Sequence, residues 1–327
     1  MKAVDLPMEQ KPRVLVLAGP TASGKTALSI QVAKALNCEI VCMDSMQIYR
    51  GMDIGTAKPT REEMEGIPHH MLDVADPREA YSVAMYQQQA EQVMGDIAAR
   101  GHTPLLVGGT GFYLRALRNP MAMGGAGSDA DIRAELENIA AEANGREKLH
   151  AMLAHVDADT AARLPANDVR RVIRALEVFR LTGKPFSRQD IPQRAVPFAY
   201  RVAALTMERE RLYDRVNRRV DQMMAQGLLA EVSGLLQAGV PPDAQAMKGL
   251  GYKELLPCVL HNAPVEAAVE HIKLGTRHYA KRQLTWLRRE EEEFLGDAAC
   301  RIWRFFDETA DRRTMISPDN VQFAPPR

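Results

Sequence analysis

Residues 19–26, with the sequence GPTASGKT, constrain the fold of this 327-residue chain more than any other segment. They follow a short apolar run at 14–18 and open a stretch at 26–36 in which leucine and valine recur every fourth residue. A buried strand, a turn of the form G-x-x-x-x-G-K-[ST] and a helix together make a P-loop. The backbone N–H groups of such a turn and the positive end of its helix bind phosphate oxygens. The sequence therefore predicts a polyphosphate site in an α/β fold, although the motif alone does not specify a reaction.

The segments after the P-loop alternate between strand and helix patterns. Short apolar runs at 39–43 and 104–107 are typical of buried strands, and residues 82–100 have the spacing of a helix that ends before Gly101. Strands that alternate with helices form a parallel sheet with helical crossovers. We therefore predict the α/β class, with a P-loop NTPase-like parallel sheet.

The alternation stops near residue 118. Residues 129–182 have a helical pattern with no strand candidate, and a strand pattern returns at 201–207 after a proline-containing connection. This order predicts an all-helical domain inserted into the sheet domain and a helical C-terminal part. The predicted limits are 1–118 for the first part of the core, 119–197 for the inserted domain, 198–310 for the core continuation with the C-terminal helices, and 311–327 for a loose tail.

The charge of the chain is balanced, since Lys plus Arg and Asp plus Glu both number 42, so only local clusters can indicate nucleic-acid binding. One basic cluster lies in the inserted domain, at Arg163, Arg170, Arg171, Arg174, Arg180, Lys184 and Arg188. A second lies in the last long helix, at Lys273, Arg277, Lys281, Arg282, Arg288 and Arg289, with Tyr279 and Trp286 interleaved. Cations with aromatic side chains suit a structured RNA loop, but either cluster alone is also typical of a solvated helix face.

The composition excludes several classes of protein. No apolar run approaches the roughly 18 residues that cross a bilayer, and the first 13 residues lack the apolar core of a signal peptide. None of the four cysteines forms a C-x-x-C pair, so neither a zinc site nor a disulfide framework is indicated. We expect a cytoplasmic protein with reduced thiols.

Asp44 follows the second predicted strand, just as the P-loop follows the first. Ligands of open α/β sheets bind beyond the carboxyl ends of the strands, so Asp44 is expected to face the phosphate site. A carboxylate there could be a general base, a ligand of Mg²⁺ through water, or a helix cap. The third strand ends in GGTG at 108–111, where glycines permit close approach of a ligand and Thr110 offers a hydroxyl. A tight turn that opens a helix is the alternative for this segment.

Segments spread along the chain resemble the tRNA dimethylallyltransferases. The matching segments are GPTASGKT at 19–26, DSMQIYRGMDIGTAKP at 44–59, GGTG at 108–111, Asn167, Asp168 and Arg171 with RALE at 174–177, GYKE at 251–254, and KRQLTWLR at 281–288. The resemblance implies transfer of the dimethylallyl group from dimethylallyl diphosphate to N6 of the adenosine 3′ to the anticodon in tRNA, with release of diphosphate. It also implies that the P-loop holds the donor's diphosphate, that Mg²⁺ assists, that no nucleoside triphosphate is consumed, and that the protein is a monomer whose inserted domain binds the tRNA anticodon stem-loop.

The resemblance also assigns roles to individual residues. Asp44 matches the general base, Thr21 a residue near the reacting centre, and Arg215, with Lys25, a cation on the diphosphate. The charges alternate around Arg215, so a solvated helix face is the alternative for it. The positions expected to bind the diphosphate are Gly19, Pro20, Thr21, Ala22, Ser23, Gly24, Lys25 and Thr26, with the Thr26 hydroxyl on Mg²⁺. The positions expected to contact tRNA are Asp44, Ser45, Met46, Gln47, Thr110, Arg170, Arg171, Arg174, Gly251, Tyr252, Lys253, Lys281, Arg282, Gln283, Trp286 and Arg288.

The chemistry of these residue types suits that reaction. A departing diphosphate needs preorganised positive charge. Adenine N6 is a weak nucleophile, and a carboxylate that takes its proton assists the attack. The target base must also leave the anticodon stack. Arg170 stands where the family usually has Gln, which moves its expected contact from the base toward phosphate.

Three other functions share some of these features. A small-molecule or nucleotide kinase shares the P-loop but needs no RNA-binding insert. A non-catalytic RNA-binding protein with a P-loop would not depend on Asp44. An isopentenyltransferase that acts on free adenine nucleotides would lack the inserted helices and the basic C-terminal helix.

Overall fold

The computed structural model describes residues 10–119, 127–189 and 194–294. The chain divides into two compact units, one made of Met1–Arg118 with Ala195–Arg327 and the other of Asn119–Arg194. The domain limits proposed from the sequence stay predictions, and the tail expected at 311–327 lies outside the described residues. Within the described ranges, no helix is both long enough and apolar enough to cross a membrane.

One five-stranded sheet forms the centre of the first unit. Its strands are β1 (Arg13–Ala18), β2 (Cys38–Met43), β3 (His69–His70), β4 (Thr103–Gly108) and β5 (Ala199–Ala204), and they lie in the order β3-β2-β4-β1-β5. All neighbouring strands are parallel, and Leu15 of β1 lies between Leu105 of β4 and Arg201 of β5. The predicted parallel sheet of the P-loop type is confirmed.

Helices connect and cover these strands. In chain order they are α1 (Lys25–Leu36), α2 (Arg61–Met64), α3 (Val83–Ala99) and α4 (Gly111–Arg118) in the first unit, α5 (Ala130–Ala141), α6 (Gly145–Val156), α7 (Ala158–Arg163) and α8 (Val169–Thr182) in the second, and α9 (Arg209–Ala225), α10 (Leu228–Gln237), α11 (Tyr252–His261) and α12 (Val265–Phe294) in the first again.

The central strands are apolar throughout because both faces of the sheet are covered. Val14 and Val16 of β1 point into the larger core, which also holds buried residues of α3, α4, α10 and α11. Leu15 and Leu17 point the other way, into a smaller core with α1. A sheet buried on both faces has continuous apolar strands rather than alternating ones, which is why these runs could be found from the sequence.

Local chemistry fixes where the helices begin. The Ser82 side chain caps α3 by accepting a hydrogen bond from the N–H of Met85 at 3.2 Å. The residue before α1 is Gly24, whose φ of 91° lies in the left-handed region that favours glycine. The P-loop thus turns directly into the first turn of α1.

Two strands differ from the sequence-based expectation. β5 spans Ala199–Ala204 rather than 201–207, because it pairs residue for residue with β1, whose last residue is Ala18. After one further bond, from the N–H of Leu205 to the carbonyl of Ala18, the chain leaves the sheet for α9. β3 was not predicted, because two residues are too short to show a period.

The second unit is all-helical in its described part, as predicted. Helices α5, α6 and α8 pack around a core that includes Leu136, Leu149 and Leu176. The fully buried Glu177 accepts hydrogen bonds from the Arg133 and Arg174 side chains. A buried carboxylate requires such partners, so Arg133 and Arg174 compensate the buried charge of Glu177.

Candidate active site

The P-loop lies at the carboxyl end of β1, between β4 and β5. The Lys25 ammonium folds back over the loop and donates to the carbonyls of Gly19 at 3.0 Å and Pro20 at 2.7 Å. The Ser23 hydroxyl is buried and has no hydrogen-bond partner in the described structure. A buried polar atom without a partner, beside a lysine and a helix N-terminus, is what an anion cradle contains before its ligand arrives.

Charged side chains near the P-loop interact electrostatically. Burial, followed by the charge of Arg219, lowers the pKa of Lys25 to about 8, whereas Asp44 opposes this shift. Asp44 likewise opposes the fall in the pKa of Arg219 that burial causes. Lys25, Arg219 and Asp44 therefore lie near one another beside the loop.

Asp44 follows β2 directly, at the same end of the sheet as the P-loop. Its Oδ1 accepts a hydrogen bond from the N–H of Met46 at 2.8 Å, but residues 45–48 form a turn rather than a helix, so Asp44 is not a helix cap. Within the described residues, Oδ2 has no hydrogen bond and the carboxylate has no ion pair within 4 Å. The local turn therefore orients Asp44 while it leaves one oxygen for another group.

Helix α9 supplies two arginines on one face. Arg215 Nε donates to the carbonyl of Ala22 in the P-loop at 2.8 Å, so its guanidinium lies beside the loop. Arg219 follows one turn later and makes neither a hydrogen bond nor an ion pair with any described residue, although it is partly buried. The sequence interpretation missed Arg219. The i, i+4 spacing from Arg215 was the signal that places both side chains on one face.

The turn after β4 meets the turn after β2. The Thr110 hydroxyl accepts a hydrogen bond from the N–H of Ser45 at 3.1 Å. Gly108 is required here, because a Cβ atom would overlap the backbone of Met43. The structure thus brings Ser45 and Thr110 together beside Asp44. Met46, another expected contact, is partly buried and packs closely against Gly249.

Gln47 has protein partners. Its Nε2 donates to the carbonyls of Thr56 and Ala57, both at 3.1 Å, and its Oε1 accepts from the Cys42 thiol at 3.2 Å. The Gln47 side chain therefore ties the Asp44 turn to the segment around Thr56.

Glu231 of α10 holds the segment that precedes Thr56. The Glu231 carboxylate accepts the backbone N–H groups of Asp53, Ile54 and Gly55 at 2.7–3.1 Å. It also accepts the Tyr252 hydroxyl at 2.6 Å. Tyr252 is 0% exposed, so in this conformation its side chain cannot contact tRNA and serves the core instead.

The neighbours of Tyr252 differ in exposure. Gly251 is buried and begins α11 with a φ of 93°. Lys253 is exposed, at 3.6 Å from Glu254. Of this expected tRNA segment, only Lys253 offers a side chain to a ligand.

The inner face of α12 lines the crevice. Gln283 bonds to the P-loop and to the turn after β4. The Tyr279 side chain interacts with Thr110, and burial, with help from the nearby Asp44 carboxylate, raises its pKa. Trp286 lies against Gly111 so closely that a Cβ atom there would overlap the indole. The spacing of Tyr279, Gln283 and Trp286 is that of one helix face.

A neighbouring stripe of α12, which shares Trp286 with the inner face, lines an open groove with a volume of about 470 Å³. Its lining is basic and aromatic, comprising His278, Lys281, Arg282, Thr285, Trp286 and Arg289. The guanidinium of Arg282 lies 5.7 Å from the centre of the Tyr279 ring. Arg288 is exposed on the same helix. Three of the expected tRNA residues, Lys281, Arg282 and Trp286, therefore share one groove.

The expected tRNA residues of the second unit divide into two kinds. Arg170 is exposed, and Arg171, with 74% of its side chain exposed, lies 3.3 Å from Asp168. Arg174 instead bonds to the buried Glu177 at 2.7 Å and to the carbonyl of Gly127 at 2.8 Å. Arg170 and Arg171 are open to a ligand, whereas Arg174 is held by its own unit.

Known proteins resemble this chain over most of its length. The model of the IPP transferase family matches residues 47–290. A protein of Pelotomaculum thermopropionicum named tRNA dimethylallyltransferase is 49% identical over 286 residues, which cover 86% of this chain and 90% of that protein. A Bacillus cereus protein of the same name is 48% identical over 311 residues, with coverage of 93% and 98%.

Solved structures agree with the sequence comparison. The crystal structure of a tRNA isopentenylpyrophosphate transferase from Bacillus halodurans matches with a TM-score of 0.64 and 43% identity, covering 90% of each chain. A structure of a eukaryotic dimethylallyltransferase acting on tRNA matches with a TM-score of 0.73 and 32% identity, covering 90% of this chain and 73% of the other. With the P-loop, the Asp44 turn and α12 arranged around one crevice, these matches show that the chain belongs to the IPP transferase family, the family of the tRNA dimethylallyltransferases.

Proposed function

We propose that this chain transfers the dimethylallyl group of dimethylallyl diphosphate to N6 of the adenosine 3′ to the anticodon in tRNA and releases diphosphate. Its curated relatives are named for this kind of transfer. One observation supports the reaction most directly: Asp44 shares a crevice with the P-loop cations and keeps one oxygen without a protein partner. A kinase needs the cradle, but it does not need the basic groove on α12.

The cradle would hold the diphosphate of the donor. An anion above α1 would be bound by the Ser23 hydroxyl, the backbone of the loop and the Lys25 ammonium. Arg215 and Arg219 add charge from α9. An anion in this cradle would favour the charged form of Lys25, whose pKa is low without one. Charge that is fixed before the reaction stabilises the departing diphosphate.

The site suits a divalent metal of the oxygen-preferring kind. Members of the family use a divalent metal, and we propose Mg²⁺ for this chain. The described residues contain no cluster of three or more His, Cys, Asp or Glu side chains. This agrees with a Mg²⁺ ion that is held mostly by phosphate oxygens and water, with the exposed Thr26 hydroxyl as its protein ligand. When bound, the ion would neutralise charge on the diphosphate oxygens.

Asp44 would act on the acceptor side. The bond between the allylic carbon and the diphosphate oxygen breaks, the bond from that carbon to adenine N6 forms, and one N6 proton passes to the Asp44 carboxylate. The bond from the N–H of Met46 fixes Oδ1, which leaves Oδ2 to receive that proton. Ser45, Thr110 and the Gln47 segment would surround the base, and Thr21 would lie near the reacting carbon.

The RNA would contact exposed cations on both units. In the first unit these are Lys253, Lys281, Arg282 and Arg288, with Trp286 as an aromatic surface on which a base can stack. In the second unit they are Arg170 and Arg171. Extrusion of the adenosine from its loop would bring it to Asp44. We further propose that the protein acts as a monomer in the cytoplasm.

The test is a transfer assay with nucleoside analysis. Purified protein, unmodified tRNA, labelled dimethylallyl diphosphate and Mg²⁺ are expected to yield label on N6 of the adenosine 3′ to the anticodon. A tRNA with guanosine at that position is the matched control and is expected to remain unlabelled. Turnover of ATP without RNA, together with an unlabelled tRNA, would support a kinase instead.

A further inference from the structure

Gln283 lies where the two halves of the candidate site meet. It is 6% exposed, on the inner face of α12. Its Oε1 accepts the backbone N–H of Thr21 in the P-loop at 2.9 Å. Its Nε2 donates to the carbonyl of Gly109, in the turn after β4, at 2.9 Å. One side chain therefore connects the P-loop, where we propose that the diphosphate of the donor binds, with the turn after β4, beside which we propose that the adenine binds.

The chemistry of these partners fixes the orientation of the amide. A backbone N–H can only donate, and a carbonyl can only accept, so Oε1 must face Thr21 and Nε2 must face Gly109. A carboxylate could replace the first bond but not the second, and an apolar side chain could replace neither. The bridge therefore requires an amide of this length.

The backbone at Gly109 leaves space for the Gln283 amide. A Cβ atom on Gly109 would overlap Nε2 of Gln283. A Cβ atom there would also lie 3.0 Å from the carbonyl oxygen of Gly19 in the P-loop. The P-loop and the turn after β4 are thus in close contact at Gly109. The Gln283 amide, which belongs to α12, packs against the same position.

We infer that Gln283 is a positioning residue that sets the P-loop against the Gly109 turn and so fixes the distance between the diphosphate cradle and Asp44. The inference rests on the proposed function and departs from the resemblance, which places Gln283 among the tRNA contacts. A side chain that is buried and has both amide groups bonded inside the protein is not free to bind RNA. The exposed Lys281 and Arg282 on the same helix remain the RNA-facing residues.

The kinetic consequence differs from that of a lost RNA contact. A misplaced cradle is expected to lower kcat at saturating tRNA and donor, by roughly 10²-fold for a shift of about 1 Å. A lost RNA contact would instead raise the KM for tRNA and leave kcat unchanged. The two roles can therefore be separated by one set of measurements.

The experiment compares Gln283→Met and Gln283→Glu with a matched control on the same helix, Thr276→Ala. Among the described residues, the Thr276 hydroxyl bonds only to the carbonyl of Ile272. Both Gln283 variants are expected to lose kcat while their tRNA dissociation constants stay near that of the unchanged protein, and Thr276→Ala is expected to keep both. An elevated dissociation constant for tRNA with an unchanged kcat would overturn the inference, and so would unchanged values of both.

A second measurement does not depend on prenyl transfer. Inorganic pyrophosphate is expected to raise the melting temperature of the unchanged protein and of Thr276→Ala, and to raise that of both Gln283 variants less. An equal increase in all four proteins would contradict the positioning role. If the unchanged protein binds pyrophosphate but transfers no prenyl group, the proposed function fails, whereas this result still decides the role of Gln283.

Discussion

Strand β2 carries a carboxylate at each end, and the two have opposite surroundings. Glu39, near its amino end, is 5% exposed and lies 2.8 Å from Arg100 and 2.6 Å from His70. Asp44, just past its carboxyl end, has one bond from a backbone N–H and no ion pair within 4 Å among the described residues. One carboxylate is fully satisfied by the protein, and the other is oriented but left available.

The difference shows how this sheet separates stability from function. A buried carboxylate is tolerated when strong donors surround it, and such a group is then inert. Asp44 lies near Lys25 and Arg219, bonds to neither of them within the described residues, and keeps one oxygen without a protein partner. The carboxyl ends of the strands, where the P-loop and the turn after β4 also lie, are where ligands bind in folds of this type.

Replacing Asp44 is expected to have the largest effect on activity. Asp44→Asn keeps the size and the acceptor for the N–H of Met46 but removes the proton acceptor, so transfer is expected to fall by about 10²–10⁴-fold. The dissociation constant for tRNA is expected to stay near its original value, which a binding assay checks. A variant that transfers prenyl groups at the normal rate would rule out Asp44 as the base.

Arg219 provides the next largest test, on the donor side of Asp44. Arg219→Gln removes a partly buried cation that has no bonded partner in the described structure, and kcat/KM for the donor is expected to fall by roughly 10²-fold. Arg218→Gln, an exposed neighbour on the same helix, is the matched control and is expected to change little. Equal effects of the two substitutions in steady-state kinetics would mean that Arg219 has no special place at the cradle.

Glu39 is expected to affect stability rather than turnover. Glu39→Gln removes the negative charge that Arg100 and His70 face, together with one of the two acceptor oxygens, and is expected to lower the free energy of unfolding by about 1–3 kcal/mol. The exposed pair of Glu65 and Lys34 gives the control, since Glu65→Gln is expected to cost less than about 1 kcal/mol. Denaturant unfolding measures both. A loss of turnover per folded molecule in Glu39→Gln would break the contrast with Asp44.

The pH dependence of stability is expected to show the smallest effect. Burial by itself raises the pKa of Glu39, but hydrogen bonds from Arg100 and His70 outweigh it and hold the pKa below its ordinary value of 4.5. The protonated form is therefore less favoured in the folded state than in the unfolded state. The stabilisation is present above pH 4.5 and is lost as the pH falls through the folded pKa. The free energy of unfolding is expected to change less with pH across this range in Glu39→Gln than in the unchanged protein. An equal pH dependence in the two proteins would show that Glu39 does not titrate as described.

The sequence revealed the parts of the site that belong to short local motifs. Residues 19–26 and Asp44 follow apolar strands, and the parallel topology brings the ends of those strands together. The all-helical second unit and the parallel sheet could also be predicted, because long periodic segments and doubly buried strands have strong patterns.

Residues whose roles depend on distant partners were harder to predict. Gln283 and Tyr252 stood in segments that resemble RNA contacts, yet their partners lie 262 and 21 residues away along the chain, and both side chains are buried. Arg219 lies on a helix whose alternating charges resemble a solvated face. A polar residue on the same helical stripe as Ala280 and Leu287, as Gln283 is, was the available signal of a buried role.

The most direct test of the contrast between the two ends of β2 is the single-turnover rate of prenyl transfer in Asp44→Asn beside that in Glu39→Gln, with both substrates saturating and rates expressed per folded molecule. The structure predicts a rate near that of the unchanged protein for Glu39→Gln and a rate at least about 10²-fold lower for Asp44→Asn. Comparable rates for the two variants would contradict the assignment of proton transfer to the carboxyl end of β2.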